Sequence, residues 1–269
     1  VLGRIIFAEL HKDNRSRYLQ EAKVLQGRHP DRLLRKEYVN KMLAYASSKY
    51  TDRYANNKKA VQSMVKDFEK VSSKSSCLFR TLMQHRDLKT LVLFTEGLKT
   101  FQNYIKVSHR DMYFDLAKNQ RAFQIGFIRA SADKTDQALN SRKLKAFNSP
   151  NNLRGERMRV ICADKSFFVG VNFKNVRRII MVSPSISSAL YIQTVGRVLR
   201  MCTYDVLPEN ERNVQVDIMV ATLNRHRRLH DLTDKDRFDQ LVQEHMSSKK
   251  PLLTIDEVAL HYLYRDVQQ

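Results

Sequence analysis

Residues 183–200 read SPSISSALYIQTVGRVLR. The stretch opens on Ser-Pro after an apolar run, which suits the entry to a helix. Within it lies Q-x-x-G-R-x-x-R, formed by Gln193, Gly196, Arg197 and Arg200. On a helix, this spacing brings all four onto one face. Leu190, Val195, Val198 and Leu199 fall largely on other faces, where they can pack. A glutamine, a glycine that lets a ligand come close and two arginines suit clustered phosphates. Arginine presents its donors in a fixed fork and keeps its proton. A solvated basic face on an ordinary helix accounts for the same residues, so the segment has to be read with its neighbours.

Just upstream, residues 158–185 read MRVICADKSFFVGVNFKNVRRIIMVSPS. This is a strand, a turn with Gly170, Val171 and Asn172, a basic stretch from Lys174 to Arg178, and a second strand. From Lys89 onward, short β-branched runs alternate with helical patterns. Strands are expected at 91–95, 123–128, 158–163, 178–182 and 214–221, and helices at about 97–107, 133–147 and 186–199. Such alternation predicts an α/β fold with a parallel sheet covered by helices.

The flanks read differently. Residues 11–88 show three apolar stripes at helical spacing. One follows Asp31 as a cap and includes Leu33, Leu34, Val39, Met42 and Leu43. A second is Val61, Met64, Val65 and Phe68, and a third starts at Cys77, Leu78, Leu82 and Met83. The strand-like start, 3–10, either closes a preceding domain or pairs at the sheet edge. At the other end, Asp234 opens a helix to Met246, and Thr254 with Glu257 forms a T-x-x-E capping box. The expected organisation is a mainly helical insertion or bridging region over 1–88, a sheet domain over 89–224 and a helical extension over 225–269.

Of 269 residues, 48 are Lys or Arg and 28 are Asp or Glu, a net charge of +20. Residues 1–90 carry +11, 91–200 carry +12 and 201–269 carry −3. The positive field belongs to the first three quarters and attracts polyanions, nucleic acid foremost. No apolar run is long enough for a transmembrane helix, no signal-peptide pattern opens the chain, and a membrane partner is not expected. The three cysteines, Cys77, Cys162 and Cys202, lie far apart with no C-x-x-C pair, which argues against a disulfide framework and a zinc site. An intracellular, reducing compartment is the simplest reading. A chain that begins with Val1 reads as a piece of something longer.

Strand, gap, strand with a glycine turn, strand, then Q-x-x-G-R-x-x-R is the order of motifs IV, V and VI in superfamily 2 helicases. Residues 89–225 therefore resemble the second RecA-like lobe of such an enzyme. The stretch 200–222, RMCTYDVLPENERNVQVDIMVAT, is similar to the segment after motif VI in helicase-like nucleoside triphosphatases of large cytoplasmic DNA viruses. The matching residues are Arg200, Cys202-Thr203-Tyr204, Leu207-Pro208 and Arg212.

The resemblance implies a RecA-like sheet with helices on both faces. It implies that Arg197 and Arg200 reach the γ-phosphate of ATP and that Gln193 and Gly170 contact the nucleotide or its neighbours. Thr95 and Gly97, at motif IV, would meet nucleic-acid phosphates, as would Asn172 and Lys174 at motif V. Backbone N–H groups at a helix start suit that contact. Two departures weaken the coupling of motif V to the ATP site. Val169 stands where the family commonly has Glu before the glycine, and Ala163 and Asp164 stand where a Thr often ends the strand.

No G-K-[ST] occurs in the chain, so no P-loop can cradle the β- and γ-phosphates. Asp256-Glu257 follows motif VI, and the capping-box reading suits it better than an acidic motif. ATP and Mg²⁺ are thus expected to be held mainly by an N-terminal lobe upstream. The implied function is the C-terminal lobe of an ATP-dependent helicase or translocase acting on DNA or RNA. A rival is a non-catalytic, helicase-like scaffold in a viral transcription complex, located in the virion or host cytoplasm.

Lesser candidates keep two readings. His226 and His230, at i and i+4, suit a metal pair or a basic surface helix. Tyr113, Phe114 and Phe123 suit base stacking or core packing. Arg177, Arg178, Arg225, Arg227 and Arg228 suit phosphate contacts or solvated faces.

Overall fold

The computed structural model describes residues 3–22, 58–117, 123–164, 171–199, 204–248 and 252–268. Among the described residues, six strands form one sheet: β1 Arg4–Glu9, β2 Thr90–Phe94, β3 Ile125–Ile128, β4 Val160–Asp164, β5 Arg178–Met181 and β6 Gln215–Thr222. Their order is β1-β6-β5-β2-β4-β3, and every pairing is parallel. The five expected strands are all present, displaced by no more than two residues at either end. Every residue of β2, TLVLF, is buried, as are all of β3 and β5. Continuous apolar strands of this kind belong to parallel sheets covered on both faces.

The strand period of two divides the core. Leu91, Leu93, Ile161, Ala163, Ile179, Met181, Ile218 and Val220 face one layer. Val92, Phe94, Val160, Cys162, Ile180, Val182 and Met219 face the other. The first layer is closed by helices α6 Lys134–Asn148, α7 Ser188–Val198, α8 Leu229–Thr233, α9 Lys235–Ser247 and α10 Ile255–Gln268, through Phe147, Tyr191, Val198, Leu232, Phe238 and Val258. The second is closed by α4 Ser73–Gln84 and α5 Leu98–Ser108, through Leu78, Leu82, Leu98, Phe101 and Ile105.

The described part of 11–88 is helical: α1 Lys12–Ala22, α2 Lys58–Lys66, α3 Phe68–Val71 and α4. The stripe Val61 to Phe68 is not one helix. Asp67, at φ −125 and ψ 39, ends helical geometry, and Phe68 restarts it. Phe68 then stacks on Tyr104, with ring centroids 3.6 Å apart. The stripe from Leu33 to Leu43 and its cap Asp31 lie outside the described residues. The strand-like start joins the sheet edge as β1, in register with β6 from Arg4↔Asp217 to Glu9↔Thr222. Gly3 precedes it at φ +93, and a Cβ there would sit 2.3 Å from the Val216 carbonyl oxygen, so only glycine fits.

Candidate phosphate-binding site at the carboxyl ends of the strands

In an open parallel sheet, ligands bind beyond the carboxyl ends of the strands, where neighbouring connections diverge. Here that point lies between β2 and β5. The chain leaves β2 through α5 toward the β3 edge, and leaves β5 through α7 toward β6. The crevice between them is lined by Leu93, Phe94, Thr95, Met181, Ser183, Ser185 and Thr194. Thr95, just after β2, and Thr194, on α7, thus share one crevice.

The helix α7 starts at Ser188, four residues beyond the Ser183-Pro184 pair that suggested a helix entry. Ser187 is its N-cap, and the Ser187 hydroxyl accepts from the Leu190 N–H at 3.4 Å. Tyr191, Thr194 and Val198 are buried, whereas Gln193 and Gly196 are exposed and Arg197 is half-buried. The expected packing set needs correction. Val198 is buried and the half-buried Val195 packs against the same core layer, but Leu190 is only half-buried and Leu199 is 52% exposed. At 100° per residue, Tyr191, Thr194 and Val198 fall on one narrow arc, and Leu199 points well away from it. The opposite face carries Gln193, Gly196 and Arg197. A Cβ built on Gly196 would meet nothing within 4 Å, so the chain's own packing places no demand on glycine there. Arg200 and Gly170 lie outside the described residues.

Gly97 is the N-cap of α5 at φ +86, a left-handed conformation that favours glycine, and makes no side-chain cap. Asn172 and Lys174 are exposed, and Asn148 holds their backbone. Its amide donates to the Asn172 carbonyl and its carbonyl accepts from the Lys174 N–H, both at 2.8 Å. Asn172 and Lys174 do not line the crevice that holds Thr95 and Thr194.

Tyr204 and Arg212 have a structural task. The buried Tyr204 hydroxyl lies 2.9 Å from the Val176 carbonyl and 3.0 Å from the Val198 carbonyl at the end of α7. Burial pushes its pKa well up. Arg212 donates to the carbonyls of Leu207 and Asp205, closing the turn between them.

The acidic pair does more than cap. The capping box is present: the Thr254 N–H donates to Glu257 at 2.7 Å and the Glu257 N–H to Thr254 Oγ1 at 3.1 Å. Asp256 and Glu257 are also fully buried counter-ions. Asp256 pairs with Lys74 of α4, and Glu257 with Arg227 at 2.8 Å. Lys74 Nζ also donates to Ser183 Oγ at 2.7 Å. Burial pulls the Lys74 ammonium down and pushes both carboxyls up, and each partner opposes the shift of the other. The signal was present in sequence. Ile255, Val258, Ala259, Leu260 and Leu263 surround the acids, so the start of α10 is apolar all round and acids within it need buried partners.

Two arginines read as solvated or phosphate-binding are neither. Arg227 is tied to Glu257, and Arg178 is fully buried against Asp217. Phe114 is core, and Tyr113 stacks on Phe127. His226 lies in a turn and His230 in α8, so they share no helix. Among the described residues, no three His, Cys, Asp or Glu gather as a metal site, and no helix is long and apolar enough to cross a membrane.

Comparison with known proteins agrees with this geometry. The helicase conserved C-terminal domain family matches residues 73–202. An early transcription factor large subunit homolog of African swine fever virus (isolate Tick/Malawi/Lil 20-1/1983) is 36% identical over 87 residues, covering 32% of this chain and 8% of that protein. Nucleoside triphosphatase I of Melanoplus sanguinipes entomopoxvirus is 22% identical over 228 residues, covering 82% of this chain and 33% of that protein. The chain therefore spans well under half the length of these relatives. Among solved structures, the C-terminal part of the Fun30 ATPase domain shares the fold, with a TM-score of 0.51 and 11% identity over 98% of this chain and 96% of that one. Residues 73–202 are thus similar to a helicase conserved C-terminal domain, and the all-parallel sheet agrees with that likeness.

Proposed function

We propose that the chain supplies the arginine side of an ATP-hydrolysing cleft in a nucleic-acid helicase or translocase. The observation that carries this is the outward face of α7, where Gln193 and Gly196 are exposed beside Arg197 and nothing fills the space a Gly196 Cβ would take. Arg197 and Arg200 stabilise charge on the γ-phosphoryl group as it leaves, and Gln193 and Gly170 contact the nucleotide. A planar fork of donors fits the equatorial phosphoryl oxygens better than a lysine does.

This chain has no G-K-[ST], and its described acids form no metal cluster. The phosphate cradle and the Mg²⁺ ligands are therefore assigned to an N-terminal lobe. Bound Mg²⁺ would neutralise charge on the phosphates. Thr95, Gly97, Asn172 and Lys174 hold the nucleic-acid backbone, in keeping with the charge of the first 200 residues. Closing and opening of the cleft would step the lobes along one strand.

The test is ATP turnover and strand affinity of Arg197→Ala and Arg200→Ala in the protein that carries both lobes. Turnover should fall by about 10³ to 10⁵ with strand affinity little changed. Near-normal turnover in both would overturn the assignment.

The likeness to an early transcription factor subunit favours one second reading, a helicase-like scaffold in a viral transcription complex in the virion or host cytoplasm. An intact G-K-[ST] and D-E-x-x in the same polypeptide would support the enzyme, and their loss the scaffold.

A further inference from the structure

Ser183 is the second residue after β5 and opens the loop that leads into α7. It is buried, and its hydroxyl accepts from Lys74 Nζ at 2.7 Å. Lys74 comes from α4, on the opposite face of the sheet from α7. Its ammonium is also paired with Asp256, at the start of α10, and both side chains are inaccessible to solvent. Asp256 Oδ2 accepts in addition from the Ala221 N–H at 2.7 Å, near the end of β6. One ammonium thus joins α4, the entry to the arginine helix, the end of β6 and α10. The last lies beyond the residues matched by the helicase family, which end at 202.

Two further contacts fix the same end of α10. The Tyr18 hydroxyl accepts from the Ile255 N–H at 2.7 Å, and Glu257 accepts from Thr222 Oγ1 at 2.8 Å. Val258, Leu260 and Leu263 of α10 share the core layer of Tyr191 and Val198 on α7. The arginine helix is therefore backed by α10, held at its entry through Ser183 and held at its exit by Tyr204. Stability alone does not call for a buried ion pair, since apolar residues of similar volume commonly serve as well or better. A charged pair differs in fixing direction, because the ammonium must satisfy both the carboxylate and the hydroxyl.

We propose that Lys74 and Asp256 are positioning residues that set the register of the arginine helix against the nucleotide through Ser183. The proposal rests on the reading that Arg197 and Arg200 act on the γ-phosphate. Misplacing a catalytic group by 1 Å lowers rate by about 10²-fold. A loose Ser183 loop should therefore reduce kcat and spare ground-state binding.

The experiment uses the protein carrying both lobes, with ATP and single-stranded nucleic acid. Ser183→Ala removes only the acceptor, and Ser183→Thr keeps it. Lys74→Met with Asp256→Leu removes both charges together and leaves neither unpaired. Ser183→Ala and the double variant should lower kcat by about 10- to 100-fold. KM for ATP and strand affinity should hold, and Ser183→Thr should recover most of the rate. A folded double variant and a Ser183→Ala variant with normal kcat would overturn the proposal. So would a fall in kcat matched by weaker ATP and strand binding, which marks general loosening. If the double variant fails to fold, Ser183→Ala and Ser183→Thr decide the matter. Arg197→Ala and Arg200→Ala are assayed in parallel. Normal turnover in those two removes the arginine reading and this inference with it. Their loss of turnover beside a normal Ser183→Ala removes the inference alone.

Discussion

Arg178 of β5 reaches Asp217 of β6 on the diagonal, two residues beyond its register partner Gln215; neither side chain is exposed to solvent, and Arg178 Nε donates to Asp217 Oδ2 at 2.6 Å. Arg4, on the edge strand β1, donates to the same carboxylate from the other side, at 2.9 and 3.1 Å. One acid therefore serves two guanidinium groups and ties three adjacent strands together at their amino ends. Asp217→Asn leaves Arg178 charged and buried without a counter-ion, which costs about 3 to 5 kcal/mol. Urea unfolding at neutral pH measures this. Glu211→Gln, at the partly solvated pair with Arg154, should barely move the midpoint. Equal effects of the two would refute the account of the buried pair.

Gly196 gives a separation of stability from activity. It sits inside α7 with open space where a Cβ would project. Gly196→Ala should stabilise the isolated chain by about 0.5 to 1 kcal/mol, as alanine does for glycine within a helix. In the protein with both lobes the same change should lower ATP turnover, because the methyl group enters the space proposed for the nucleotide. A variant that is more stable and fully active would place the nucleotide elsewhere.

Nucleic-acid affinity should be strongly salt-dependent and indifferent to base sequence. The charge of +11 over residues 1–90 and +12 over 91–200 makes phosphate neutralisation the main source of binding. Counterion release then lowers affinity by about 10²-fold or more between roughly 50 and 200 mM salt. Fluorescence anisotropy with two unrelated single strands is the measurement. A flat salt response, or strong preference for one strand, would count against backbone recognition.

Lys89 is 1% exposed, and burial lowers its pKa from 10.5 to about 7. Its ammonium donates to the Phe147 carbonyl at 2.8 Å and lies 4.4 Å from the Phe147 ring centre, contacts that return part of the lost hydration. The folded pKa lies below the unfolded one. As pH falls from about 10.5 toward 7, the unfolded state takes up the proton first. Stability from this group is therefore full at high pH, declines across that window and is lowest below about 7. Lys89→Met should stabilise the chain by about 1 to 2 kcal/mol near neutral pH, with the gain fading toward pH 10. The Phe147 carbonyl keeps a partner in Asn152 Nδ2 at 2.9 Å. Urea titrations at the two pH values decide it, and a gain that does not change with pH would refute the stated cause.

What the sequence determined by itself is what short-range order controls. The runs at 91–95, 158–163 and 178–182 yield the strands 90–94, 160–164 and 178–181 because short runs rich in aliphatic and β-branched residues suit a sheet buried on both faces. The outward face of α7 follows from a period of 3.6 acting on Gln193, Gly196 and Arg197. The cap at Asp234 and the box at Thr254 and Glu257 were legible because each is completed within three residues. The tertiary structure alone decided which charges are solvated. Arg178, Arg227 and Lys74 look like ordinary surface residues in a strip of letters, and the apolar surroundings of Asp256 do not say which residue is its partner. Their partners are Asp217, Glu257 and one another, brought together only when β6 enters the sheet between β1 and β5 and α10 packs behind α7. A charge can be buried only where its counter-ion also arrives, and that meeting is set by the packing of distant segments, which no local spacing encodes.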